Sequence, residues 1–161
     1  MIASILVALV VFFTDRVVKM YILENFALGE VRNFLPGVLQ LTYHQNTGMA
    51  FSMLQNHQWV PLLLVPVILL VLGVVLARGM FPCVVQRLSL VALMAGGFGN
   101  WLDRILYGFV VDMFEPVFIR FAIFNVADIF IVLGGITFIV AYMLGDRKQE
   151  KSKKTSESAD E

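Results

Sequence analysis

Charge is what this chain has least of. Asp, Glu, Lys and Arg make up 15% of its 161 residues, against 59% hydrophobic residues. A soluble domain carries roughly 25% charged and 45–50% apolar residues, so the deficit points to a membrane protein. Basic and acidic side chains number 12 each, and this balance excludes a strongly basic nucleic-acid binder. The single cysteine, Cys83, excludes an internal disulfide framework and a cysteine-rich zinc site. The two histidines, His44 and His57, have no clear acidic companions, so no metal site is expected and both read as surface or interfacial residues. No phosphate-binding loop, dinucleotide fingerprint or G-x-S-x-G element occurs. No repeat of solenoid or propeller length is visible.

What the chain does have is four apolar runs, each near the roughly 20 residues a helix needs to cross a bilayer. They cover about residues 2–22, 59–77, 84–102 and 126–144. They are continuous and lack the two-residue alternation of barrel strands, so helix is the expected element. The first run lacks a basic leader and is interrupted by Asp15, Arg16 and Lys19, so it reads as an uncleaved span. Pro61 falls in the first turn of the second run, and Pro66 lies deeper, where a kink is expected.

Residues 1–145 therefore read as one four-helix membrane domain, followed by a tail, 146–161. The tail holds ten of the 24 charged residues and no aromatics, a composition that predicts disorder and solvation. With four spans both termini share a side. That side holds seven Lys and Arg (Arg78, Arg87, Arg147, Lys148, Lys151, Lys153, Lys154), and the other side three (Arg32, Arg104, Arg120). Basic residues favour the cytoplasm, so both termini should be cytoplasmic and the loops 23–58 and 103–125 should face outward.

The first outward loop is long enough to need its own structure. Pro36-Gly37 is a turn signal, and Val38 to His44 alternates as a surface strand would. Asn46-Thr47-Gly48 reads locally as a further turn. The second loop is mostly apolar yet holds Asp112, Glu115 and Arg120, which suits the membrane interface better than water.

Ionisable groups in or beside spans are costly and are functional candidates by default. Here they are Asp15, Lys19, Asp103, Arg104, Asp112 and Asp128, all converging on the outward leaflet. Asp15 and Lys19, four apart, can pair on one helix face or contact a ligand. Gly96, Asn100 and Arg104 form a polar stripe with small residues; helix packing explains the glycines but not Asn100, Asp103 and Arg104 at the same end. Asp128 could close a capping box with Asn125, stapled by Phe124 and Ile129. Asp112 has no local cap to make. Two close carboxylates share a proton, so that one acts as general base and the other as general acid. This is the chemistry of an aspartic peptidase, and the spacing of Asp112 and Asp128 permits it.

Five motifs occur in order: Asp15-x-x-x-Lys19, Asn46-x-Gly48-x-Ala50-Phe51, Gly96-Gly97-x-Gly99-Asn100-x-x-Asp103-Arg104, Val110-Val111-Asp112 and Phe124-Asn125-x-Ala127-Asp128. Together with the four spans, the pattern resembles the lipoprotein signal peptidase (signal peptidase II) family over nearly the whole chain before the tail. It departs from that pattern at Val18 and Met113, neither of them a proposed catalytic group. The resemblance implies an intramembrane aspartic endopeptidase of the bacterial inner (cytoplasmic) membrane that needs no cofactor. Its implied substrates are prolipoproteins, cut just before a cysteine that carries diacylglycerol, and its implied inhibitor is the cyclic peptide globomycin. Asp112 and Asp128 match the catalytic pair. Asn46, Gly48, Asn100, Arg104 and Asn125 match polar residues lining the site, and Asp15 and Lys19 match a supporting motif. The first outward loop should form a small β-cradle and the second a flap.

Two other readings compete. A small proton-coupled transporter or channel could use the same carboxylates as a relay, but would place ionisable groups in both halves of the bilayer and show inverted repeats. A purely structural membrane subunit leaves the polar motifs unexplained.

Overall fold

The computed structural model describes residues 1–48 and 59–157. It contains four helices and a three-stranded sheet. The order is α1 (Ile2–Asn25), β1 (Val31–Leu35), β2 (Leu39–Asn46), α2 (Trp59–Ala77), α3 (Val84–Tyr107), β3 (Val110–Pro116) and α4 (Val126–Glu157). Residues 49–58, which include Ala50, Phe51 and His57 from the motifs and candidates above, lie outside the described residues.

The apolar runs become helices, and α2 keeps the expected bounds, continuing through Pro66. α1 and α3 run further than their runs suggest, to Asn25 and Tyr107. In both, polar side chains find partners inside the molecule, so the helix need not stop where hydropathy falls. α3 ends where Gly108 takes a left-handed conformation (φ 76°) and donates to the Arg104 carbonyl at 3.1 Å, a cap that glycine adopts without a side-chain penalty. The helix of α4 continues through residues 146–157, part of the segment read above as a solvated tail. Lys, Glu, Gln and Arg are good helix formers, and extending an existing helix avoids the nucleation cost. Trp59–Ala77 and the Val126–Gly145 part of α4 are long and apolar enough to cross a membrane.

α3 packs against α1, α2 and α4, and α1 also meets α4. Small residues permit this closeness. A Cβ on Gly96 would lie 2.6 Å from the Ala127 carbonyl oxygen of α4, closer than any stable carbon–oxygen contact. The Trp101 indole of α3 donates to the Leu62 carbonyl of α2 at 3.0 Å.

The sheet has the order β1-β2-β3, antiparallel throughout. Pro36-Gly37 forms the β1–β2 turn, with Gly37 at φ 75° and Val38 N–H donating to the Leu35 carbonyl at 3.0 Å. The strand expected over residues 38–44 is β2. Within the second outward segment, for which a flap is expected, residues 110–116 form a strand that pairs with β2, and Phe114 bridges Phe124 on the way back to α4. Its sequence lacks alternation because residues 110–113 are all shielded from solvent, and a strand covered on both faces reads as a continuous apolar run. The apolar core lies where the sheet meets α1: Ile22, Phe26, Tyr43, Val111 and Met113. Val18 packs at its edge, so both departures from the family motifs serve this core.

Candidate active site

Beside that apolar core lies a buried polar one, built in two layers. The lower layer comes from α1 and α3. One helical turn separates Asp15 and Lys19, so they face the same way. The Lys19 ammonium reaches Asp15 Oδ2 at 2.7 Å, Asp103 Oδ2 at 2.9 Å and Asn100 Oδ1 at 2.8 Å. The Asn100 contact is a hydrogen bond, and the two carboxylate contacts are ion pairs. Asp15 Oδ1 accepts the Ala127 N–H at 2.9 Å, satisfying a free donor in the first turn of α4. Asp103 pairs through its other oxygen with Arg16, whose guanidinium also donates to the Tyr107 hydroxyl at 3.1 Å. Two acids and two bases balance, which removes the large penalty of an isolated buried charge.

The upper layer is held by three asparagines. The Asn125 amide donates to Asp112 Oδ1 at 2.6 Å, and the Asn46 amide to Asp112 Oδ2 at 2.9 Å. The Asn100 amide donates to Asp128 Oδ1 at 2.8 Å. Asn125 N–H donates to Asp128 Oδ2 at 3.1 Å, while Asp128 N–H donates to Asn125 Oδ1 at 3.0 Å. This is the reciprocal capping box expected at the start of α4. The capping role and a chemical role coexist, because Asn125 caps with its oxygen and holds Asp112 with its nitrogen. One residue thereby binds both aspartates.

The layers are coupled through Asn100. A lysine ammonium can only donate, so its contact with Asn100 Oδ1 turns the Asn100 nitrogen towards Asp128. Gly99, one residue earlier, leaves room for Asp15: a Cβ there would lie 2.9 Å from Asp15 Oδ2. Arg104, one turn after Asn100, donates to the Gly48 carbonyl at 2.8 Å, and Gly48 N–H donates to Asn46 Oδ1 at 3.0 Å. This links α3 to the end of β2.

Both aspartates open onto one cavity of about 770 Å³. Asn46, Asn100, Arg104 and Asn125 share its polar end, and Phe121, Phe124, Ile129, Val132 and Leu133 make an apolar wall. Burial, and next the negative charge of Asp128, push the Asp112 carboxyl up to about 7, against the opposing pull of the Asn46 and Asn125 amides. Such an arrangement can hold one proton between two carboxylates near neutral pH. Among the described residues no group of three or more His, Cys, Asp or Glu is arranged to hold a metal ion.

Six of the nine candidate residues thus line the cavity. Gly48 contributes backbone to its frame, and Asp15 and Lys19 lie beneath it as an ion pair. Sequence reasoning named Asp103 as an ionisable candidate without placing it in the site, and it passed over Arg16, which stands beside Asp15. It read His44 as a surface or interfacial residue, and His44 is indeed exposed, on the lining of the cavity.

A model of the family described as signal peptidase (SPase) II matches residues 7–144. A lipoprotein signal peptidase of Streptococcus pneumoniae is 44% identical over 131 residues, spanning 80% of this chain and 84% of that protein. One from Streptococcus pyogenes serotype M5 is 40% identical over 129 residues, spanning 78% and 83%. Among solved structures, a bacterial membrane enzyme determined by the in meso method at 2.3 Å superposes with a TM-score of 0.84 at 31% identity, covering 91% of this chain and 90% of that one. A second, at 1.9 Å, gives 0.79 at 31% identity, covering 86% and 91%.

Proposed function

Because this chain belongs to the signal peptidase II family, we propose that it is an intramembrane aspartic endopeptidase that removes signal peptides from diacylglyceryl-modified prolipoproteins. Membership makes it a peptidase rather than a transporter or channel. The observation that carries the finer reading is the pair of buried carboxylates, Asp112 and Asp128, both bound by Asn125 at the polar end of an apolar-walled cavity.

In the resting site the pair shares one proton, with Asp112 the group that burial and its neighbour favour in the protonated form. The ionised partner takes a proton from a water as the water attacks the scissile carbonyl. The protonated partner donates towards the reacting peptide. Arg104 and the Asn46 amide stand beside the pair, where they can stabilise charge on the carbonyl oxygen.

The four helices all cross the bilayer in this reading, with both termini cytoplasmic and the site near the outer leaflet. The charges of α1 and α3 support it: Asp15, Lys19 and Asp103 are turned inward and fully buried, while Ile5, Leu6, Leu9, Val10, Phe13 and Val17 face outward. Lipid therefore meets an apolar surface although the sequence of α1 is charged. The apolar wall of α4 suits the acyl chains of a lipidated cysteine entering sideways, and globomycin should compete for the same cavity. The test is a pair of synthetic prolipoproteins in detergent, identical except for diacylglycerol on the cysteine. Cleavage on the amino side of the lipidated cysteine, with the unmodified form cut poorly, is expected. Equal cleavage of both forms would contradict the assignment.

A further inference from the structure

His44 is bound to neither of the polar layers, yet the fold brings it to the reacting groups. In the β2–β3 pair, His44 stands directly opposite Asp112. Residues opposite each other in an antiparallel pair project to the same face, with Cβ atoms ~4.5–5.5 Å apart. Asn46, two residues along β2 and so on the same face, donates to Asp112. Tyr43, on the other face, is buried in the apolar core. His44 is exposed and lines the same cavity as both aspartates. Among the described residues no hydrogen bond or ion pair holds its side chain.

We propose that His44 is a further functional residue of this site: a basic side chain whose positive charge, when it carries one, favours the singly ionised form of the Asp112–Asp128 pair. The inference rests on the dyad reading above.

The charged and titratable groups around the pair come from every neighbouring element. They are Lys19 from α1, Asp103 and Arg104 from α3, Glu115 from β3 beside Asp112 itself, and Asp128 from α4. Glu115 is engaged by the Gln40 amide at 2.8 Å. Histidine is the side chain whose charge changes between about pH 8 and 5. On the acid side of the activity profile the pair passes from two protons to one, and a charged His44 stabilises the product of that step. A neutral imidazole does less. The Asn46 and Asn125 amides hold the pair in place at all pH values, so His44 supplies charge rather than position.

The experiment is the pH dependence of kcat/KM for a diacylglyceryl prolipoprotein in detergent, with His44→Gln and His44→Lys compared with the unaltered chain. Coulomb's law at this range, in surroundings between water and protein, gives a shift of about half to two pH units. His44→Gln should move the acid limb up by that amount and the alkaline limb less. His44→Lys should return the acid limb to its place and move the alkaline limb down. A merely structural role would lower the whole profile without moving either limb. Acid limbs that coincide in all three proteins overturn the inference, and Asp112→Asn then separates the causes. If that variant is inactive, the dyad stands without help from His44. If it is active, the dyad reading itself has failed.

Discussion

At the scale of the residue, this site is organised by asparagines more than by charges. Asn100, Asn46 and Asn125 each present an oxygen to one partner and a nitrogen to an aspartate. An amide with both ends engaged has one orientation, which fixes the carboxylates without adding charge to a buried place. The aspartates are then left with the desolvation and mutual repulsion that hold Asp112 up to about 7. The sign of the consequence is definite. A raised carboxyl keeps its proton at lower pH and loses it as pH rises through that value, and the doubly ionised pair lacks a proton donor. The account therefore expects kcat/KM in detergent to fall above about pH 7, tenfold per unit. A profile flat to pH 9 would show that no group near 7 controls the reaction.

At the scale of the element, the site depends on how closely α1, α3 and α4 approach. Gly96 and Gly99 of α3 stand where side chains would meet the Ala127 carbonyl and the Asp15 carboxylate. The backbone carbonyl cannot rotate away, so Gly96→Ala should destabilise the folded chain by roughly 1–3 kcal/mol, the usual cost of overpacking. Thermal unfolding in detergent reads this as a lowered midpoint, and Gly97→Ala is the control. Gly97 has nothing nearer than 3.7 Å at its Cβ position, a Leu69 methyl. Equal midpoints for the two variants would contradict the packing argument. The same glycines show what could be read from the sequence. Their clustering signalled close packing, and Asn125-x-x-Asp128 signalled a capping box, because both are local patterns. The ends of α1 and α3 were not legible, since hydropathy marks where lipid contact ends and not where a helix ends. β3 was missed for a related reason: a strand covered on both faces carries no alternation.

At the scale of the whole molecule, sequence order alone could not show which distant groups meet. Asp103 and Arg16 are 87 positions apart, and Lys19 and Asn100 are 81 apart. Neither pair shares a local pattern, so the neutral ion cluster beneath the site appears only after the helices have packed. Asp112 and Asp128 were legible as a pair because both stand at the outward membrane boundary, at a spacing that lets them meet. That Asn125 binds both was not. The two layers have separate roles. The lower one cancels the charges that α1 and α3 carry into an apolar bundle, and the upper one leaves two carboxylates and a cavity exposed to substrate. The central claim concerns that upper layer, and single-turnover cleavage of a diacylglyceryl prolipoprotein by Asp112→Asn and Asp128→Asn tests it most directly. Each variant should retain the thermal midpoint of the unaltered protein to within a few degrees and release no signal peptide. A folded variant of either kind that cleaves at the unaltered rate would show that the two aspartates are not the catalytic pair.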